Sequence, residues 1–164
     1  MDNDTHYVSK QFFRGLKIAL YSMPDSIDAD EADYLFIKKS QLPNAGNGLY
    51  TSITIFKDEI ISVFKGKILT DIEARKRAQD NTDGYFINML DGSIMDSNHV
   101  FCYAKYANDS QGLQKTPLPY NAEISLNDDE QVCLLAIKKI KPGEEIFCSY
   151  GKKYWKKFKN QLKS

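Results

Sequence analysis

From Tyr34 onward the apolar positions fall into short runs bounded by turn residues, a pattern of short strands rather than of long helices. Strands are expected over residues 34–39, 49–54 and 59–64, separated by Pro43-Asn44-Ala45-Gly46-Asn47-Gly48 and by Lys57-Asp58. Residues 85–90 and 93–95 read as a hairpin closed by Asp91-Gly92, and residues 123–126 and 131–137 as a pair around Asn127-Asp128-Asp129. Helices are expected over 11–21, where Phe12, Phe13, Leu16, Ala19 and Leu20 recur with helical spacing, over 70–80 with Thr70 or Asp71 as N-cap and Glu73 in the first turn, and over 100–107. A last helix over 152–162 places Tyr154, Trp155, Phe158 and Leu162 on one stripe opposite lysines. Pro142-Gly143 is a turn signal for a strand that runs to Tyr150, with Ile146, Cys148 and Tyr150 on one face and Gly151 letting the backbone turn. The pattern predicts a mainly β domain with short helices over 34–164, preceded by an extension over 1–33.

Composition changes this picture little. The chain has 164 residues, 42% hydrophobic and 27% charged, enough for one packed core. No apolar run approaches the length of a membrane span and the N-terminus is polar, so an intracellular, soluble protein is expected, nuclear or cytoplasmic, with no membrane partner. Cys102, Cys133 and Cys148 lie apart within apolar stretches, which fits reduced core thiols and neither disulfides nor a metal site. The formal net charge is zero, so no direct nucleic-acid binding is expected. Asp25, Asp28, Asp30, Glu31 and Asp33 form an acidic stretch, read as a solvated linker, or else as a docking surface for a basic protein tail.

Several short motifs follow one another in a specific order: Asn44-Ala-Gly46-Asn47-Gly48-Leu49, Phe64-Lys-Gly66, Asp91-Gly-Ser-Ile-Met-Asp96, Ala104-Lys-Tyr-Ala-Asn108-Asp109-Ser110 and Glu144-Glu-Ile-Phe-Cys-Ser-Tyr150-Gly151. Together they resemble the motif series of the SET-domain protein-lysine methyltransferases, in a compact form without cysteine-rich zinc flanks. The resemblance implies several small curved sheets, with the segment after the tyrosine strand crossing beneath a loop in a knot-like way. It also implies S-adenosylmethionine as cofactor and a protein substrate with an exposed lysine, a histone tail being one candidate. By the same resemblance Gly46, Asn47, Gly48 and Leu49 lie against the cofactor, as do Lys105, Tyr106, Asn108 and Asp109. Tyr150 is implied as the catalytic tyrosine, Tyr85 as a second catalytic aromatic of the lysine channel together with Cys148, and Trp155 or Tyr154 as the aromatic over adenine.

The residue types suit methyl transfer to an amine. The amine must be neutral and in line with the sulfonium–methyl bond, whereas a free lysine has a pKa of about 10.4. An apolar channel and a neighbouring positive charge both disfavour the ammonium form. Cys148 stands where the family often has Phe or Tyr, and a small thiol leaves room for an amine that already carries methyl groups. Lys105 replaces the usual arginine, Asp109 the usual histidine, Gln111 a common cysteine, and Lys67 a frequent glutamate. The alternative is a domain that keeps the fold but only binds protein partners.

Overall fold

The structure, a computed structural model, describes residues 26–112 and 114–161. The expected helix over 11–21 and the positions Asp25 and Leu162 lie outside the described residues. Nine short strands are described: β1 (Leu35–Lys39), β2 (Asn47–Thr51), β3 (Ile60–Val63), β4 (Lys67–Leu69), β5 (Phe86–Asn88), β6 (Ile94–Asp96), β7 (Ala122–Leu126), β8 (Val132–Ala136) and β9 (Glu145–Ile146). They form three antiparallel sheets of three strands, in the orders β1-β2-β9, β3-β8-β7 and β4-β6-β5. Helices α1 (Glu31–Tyr34), α2 (Asp71–Gln79) and α3 (Gly151–Gln161) and a 3-10 turn (Ala104–Tyr106) complete the described fold. It is mainly β with short helices, as the pattern predicts.

The sheets close on one apolar core in which Leu49, Ile55, Ile61, Leu134, Ile140 and Ile146 have no exposed surface. Burying a branched side chain of this kind stabilises the fold by roughly 1.5–3 kcal/mol. Threaded through this core is a charge. Glu145, 1% exposed, accepts hydrogen bonds from the Ser40 hydroxyl at 2.6 Å, the Gln41 amide at 2.7 Å and the Tyr50 hydroxyl at 2.8 Å. A buried carboxylate persists only when its lone pairs are met in this way. Gly48 makes the room: a Cβ at that position would collide with the Glu145 carboxylate.

Several elements depart from expectation. Residues 100–107 form only the single 3-10 turn: the Ala104 amide, which in a helix would donate to the Val100 carbonyl, donates instead to the Ser62 hydroxyl at 3.1 Å, and the Lys105 ammonium takes that carbonyl at 2.9 Å along with those of Ser97 and Asn98, at 3.2 and 3.3 Å. The strand after Pro142-Gly143 stops at Ile146, and residues 147–150 bond to segments on either side instead. Phe147 accepts at its carbonyl from the Asn121 and Ala122 amides, while the Cys148 amide donates to the Asn108 carbonyl. Lys67 opens β4, a strand too short to show a period of two. The 70–80 helix has Thr70 as N-cap, closed by a reciprocal bond with Glu73. Part of the acidic stretch is held rather than free: the Glu31 carboxylate accepts from the Val63 amide and Ser26 pairs with Ile60.

Gly48→Ala should overpack the Glu145 site and lower stability by about 1–3 kcal/mol, read as a lower urea midpoint with the slope unchanged. An unchanged midpoint would mean that the carboxylate has room to move aside.

Candidate active site

Residues 44–48 reach the site through a turn in which Asn44 and Gly46 have positive φ, 62° and 70°, after which Asn47 and Gly48 enter β2. The Asn108 side chain donates to the Asn47 carbonyl at 2.9 Å and reaches Glu145 at 3.4 Å, so it bridges the glycine-rich turn and the buried carboxylate. Beside this bridge opens a cavity of about 450 Å³. Gly46, Asn47, Lys105, Tyr106 and Asn108 line one part of it, and Tyr85, Cys148, Tyr150 and Tyr154 also face it. Nine positions singled out in the sequence, spread over more than a hundred residues, therefore meet in one place.

Four others do not line this cavity. Gly48 is turned to Glu145, and Leu49 is fully buried in the core. Asp109 faces the other way, into a hub of hydrogen bonds. Its Oδ1 accepts from the Gln111 amide at 2.9 Å and the Tyr120 hydroxyl at 2.7 Å, and its Oδ2 from the Tyr150 amide at 2.9 Å and the Trp155 indole at 2.7 Å. Trp155 thus seats α3 from behind, with Gly112 leaving room for its ring and the Tyr150 ring stacked on it at 5.9 Å. Of the two aromatics expected over a cofactor, Tyr154 faces the cavity and Trp155 does not.

The Tyr150 hydroxyl donates to the Ala107 carbonyl at 2.9 Å, and the Cys148 sulfur lies 3.8 Å from the same oxygen. Burial raises the Tyr150 phenol well above its ordinary value, with Cys148, Tyr154 and Asp109 adding to the effect. Burial, then the charge of Asp109, pushes the Cys148 thiol up to about 12. Both groups are neutral at physiological pH. Among the described residues no carboxylate or imidazole lines the cavity, and the one charged group there is the Lys105 ammonium, 5.6 Å from the Tyr106 ring and 5.8 Å from the Tyr85 ring. Ser97, 1% exposed, also stands at the wall, its hydroxyl buried and without a hydrogen-bond partner among the described residues.

Sequence reasoning missed Glu145, Ser97 and Tyr120. For Glu145 a signal exists: alternation from Ile146 places it on the Phe147 side, an apolar neighbourhood for a charge. Ser97 and Tyr120 sit in loops whose course no local pattern reveals. His99 is exposed, and His6 lies outside the described residues. Among the described residues no group of histidine, cysteine and carboxylate side chains could hold a metal ion, and no helix is long and apolar enough to cross a membrane.

Three small antiparallel sheets, with a C-terminal strand end held between two other segments and carrying a tyrosine to a glycine- and asparagine-lined cavity, define the SET class of fold. A SET-domain family model matches residues 46–151, well over half of the sequence, and the chain belongs to the SET-domain family. Similar solved structures include ctPRC2 in an autoinhibited conformation bound to S-adenosylmethionine, with a TM-score of 0.61 and 23% identity over 79% of this chain and 16% of that one. A humanized mutant of the Chaetomium thermophilum Polycomb Repressive Complex 2 bound to an inhibitor gives 0.59 and 24%, over 71% and 15%. At these identities the likeness is one of fold, and this chain matches only a small part of those much longer chains.

The buried acids set an alkaline limit. Cys148 rises from 9.0 to about 12, and the phenols of buried Tyr34 and Tyr50 and of half-buried Tyr120, desolvated and beside Glu31, Glu145 and Asp109 respectively, rise from 10.0 to about 12. Each binds its proton more tightly folded than unfolded, so its contribution is complete below the unfolded value and is lost as pH climbs toward the folded one. Urea midpoints at constant ionic strength should therefore hold up to about pH 9 and fall steadily from there to pH 12. The first part of that fall should be smaller in Cys148→Ala. A midpoint still level at pH 11 would contradict the assigned burial.

Proposed function

We infer that the chain is an S-adenosylmethionine-dependent methyltransferase acting on a lysine side chain of a protein. The observation that carries this reading is the cavity itself, where Tyr150, held through Ala107, meets Asn47 and Asn108 among aromatic walls, with no carboxylate or imidazole among the described residues. Bound there, S-adenosylmethionine would supply a methyl group on a positive sulfur. The residues present fit such a group: an open turn at Gly46, a main-chain wall at Asn47 and the Asn108 amide.

Each remaining task falls to a side chain of this protein. The Tyr150 hydroxyl and the Ala107 carbonyl orient the reacting centre through weak contacts. The rings of Tyr85, Tyr106 and Tyr154 exclude water. The fixed charge of Lys105 disfavours a second ammonium nearby, which helps an entering lysine lose its proton without a general base. Tyr154 is the aromatic placed to cover adenine, and Cys148 sits beside Tyr150 where it leaves space around the amine. We take 34–164 as the catalytic unit and 1–33 as its extension, and the substrate as an exposed, tail-like segment of a protein such as a histone.

Tyr150→Phe should reduce turnover by roughly 10²-fold while calorimetry shows little change in S-adenosylmethionine affinity. A variant as active as the parent would remove Tyr150 from the chemistry. A parent that binds neither cofactor nor substrate, or that binds proteins without methylating any of a mixed panel, would favour a non-catalytic binding module.

Cys148→Tyr should shift products from di- and trimethyl-lysine toward monomethyl-lysine, as read by mass spectrometry. A parent that stops at one methyl group, with the variant unchanged, would leave Cys148 as a core thiol only.

A further inference from the structure

The aspartate at 109, where the family usually has histidine, does something a single imidazole cannot. Its two oxygens accept from four donors on three segments, and one oxygen, Oδ2, serves both the Tyr150 main chain and the Trp155 indole. The same two residues touch again through their rings, parallel to within 9° at 5.9 Å, while Tyr154 packs edge-on against Tyr150 at 5.0 Å. Helix α3 is therefore seated in part on Tyr150, alongside its ion pair between Lys157 and Asp83. Gly112 fixes the depth of the indole, Asp109 fixes its N–H, and the tyrosine ring closes the stack.

We propose that Asp109 is a positioning residue that couples the seating of helix α3 to the placement of Tyr150, so that undocking the helix misplaces the tyrosine. The proposal rests on the methyl-transfer reading of the cavity and deepens it, because it makes the C-terminal helix a control point for the same site. A hydrogen-bond acceptor shared by two donors holds their relative positions; an asparagine in its place offers one oxygen and an amide that repels one pair of donors. Misplacement of a reacting group by about 1 Å is enough to cost on the order of 10²-fold in rate.

The single tryptophan of the chain makes the coupling visible. In the full-length protein, Asp109→Asn should shift Trp155 emission to longer wavelength and raise its quenching by acrylamide. It should also lower kcat by roughly 10–100-fold with the KM for S-adenosylmethionine little changed. Trp155→Phe keeps a ring but loses the N–H, and should lower kcat in the same sense. The double variant should be no worse than Asp109→Asn alone, because both act through one contact. Thr70→Ala, which removes the N-cap of α2 and touches neither the cavity nor the Asp109 hub, should leave kcat within about twofold and so measure generic damage. Unchanged kcat in Asp109→Asn and in Trp155→Phe, or losses that simply multiply in the double variant, would overturn the coupling. If Asp109→Asn does not fold, Trp155→Phe against Thr70→Ala carries the comparison. If the parent transfers no methyl group, the functional reading fails separately. The coupling is then decided by Trp155 fluorescence in Tyr150→Ala, where an unshifted, still protected indole would overturn it.

Discussion

Most of this structure depends on one buried carboxylate. Glu145 gathers donors from the segment after β1 and from β2, and Asn108 reaches it from the loop ahead of β7. Leaving a group like that unpaired in a low-dielectric interior costs several kcal/mol, so each donor is held in place by the cost of leaving. The consequence is positional. Asn108 can bond the Asn47 carbonyl because Glu145 has already fixed the distance between their segments, and the cavity wall is a by-product of satisfying a charge.

Asp109 repeats the arrangement one layer out, at the junction of Tyr150, Tyr120 and α3. The two carboxylates divide the labour: Glu145 holds the side of the cavity built from β2 and β9, and Asp109 holds the side built from the tyrosine and the last helix. Lys105 completes the set by gathering three carbonyls of the 97–100 loop. Each of the three charges satisfies main-chain groups that no sheet or helix takes up, which is how a fold of short strands supports loops around a site.

Element types were largely legible in the sequence, because turn pairs such as Asp91-Gly92 and Pro142-Gly143 and the Thr70/Glu73 cap act locally. The boundaries that failed were set by distant groups. Residues 100–107 are not a helix because Ser62 takes the Ala104 amide and Lys105 the Val100 carbonyl that would have bonded to each other, and β9 ends early because residues 147–150 bond to 107–109 and 121–122. The cavity residues could be named from their motif order, yet which of them face it could not. Gly48 looks like part of a ligand-binding turn until Glu145 is seen behind it, and Trp155 looks like a free aromatic until its N–H is seen to be taken.

The bond from Ser40 to Glu145 joins positions 105 residues apart, and β2 pairs with β9 across nearly the same separation. Contacts of this range form late, since a long loop must close before they repay the lost entropy. During synthesis the sheet containing the glycine-rich turn stays without its third strand until β9 has left the ribosome. The unsatisfied hydroxyls, amides and open edge around Tyr50 make that interval the one in which the chain is most exposed to mispairing.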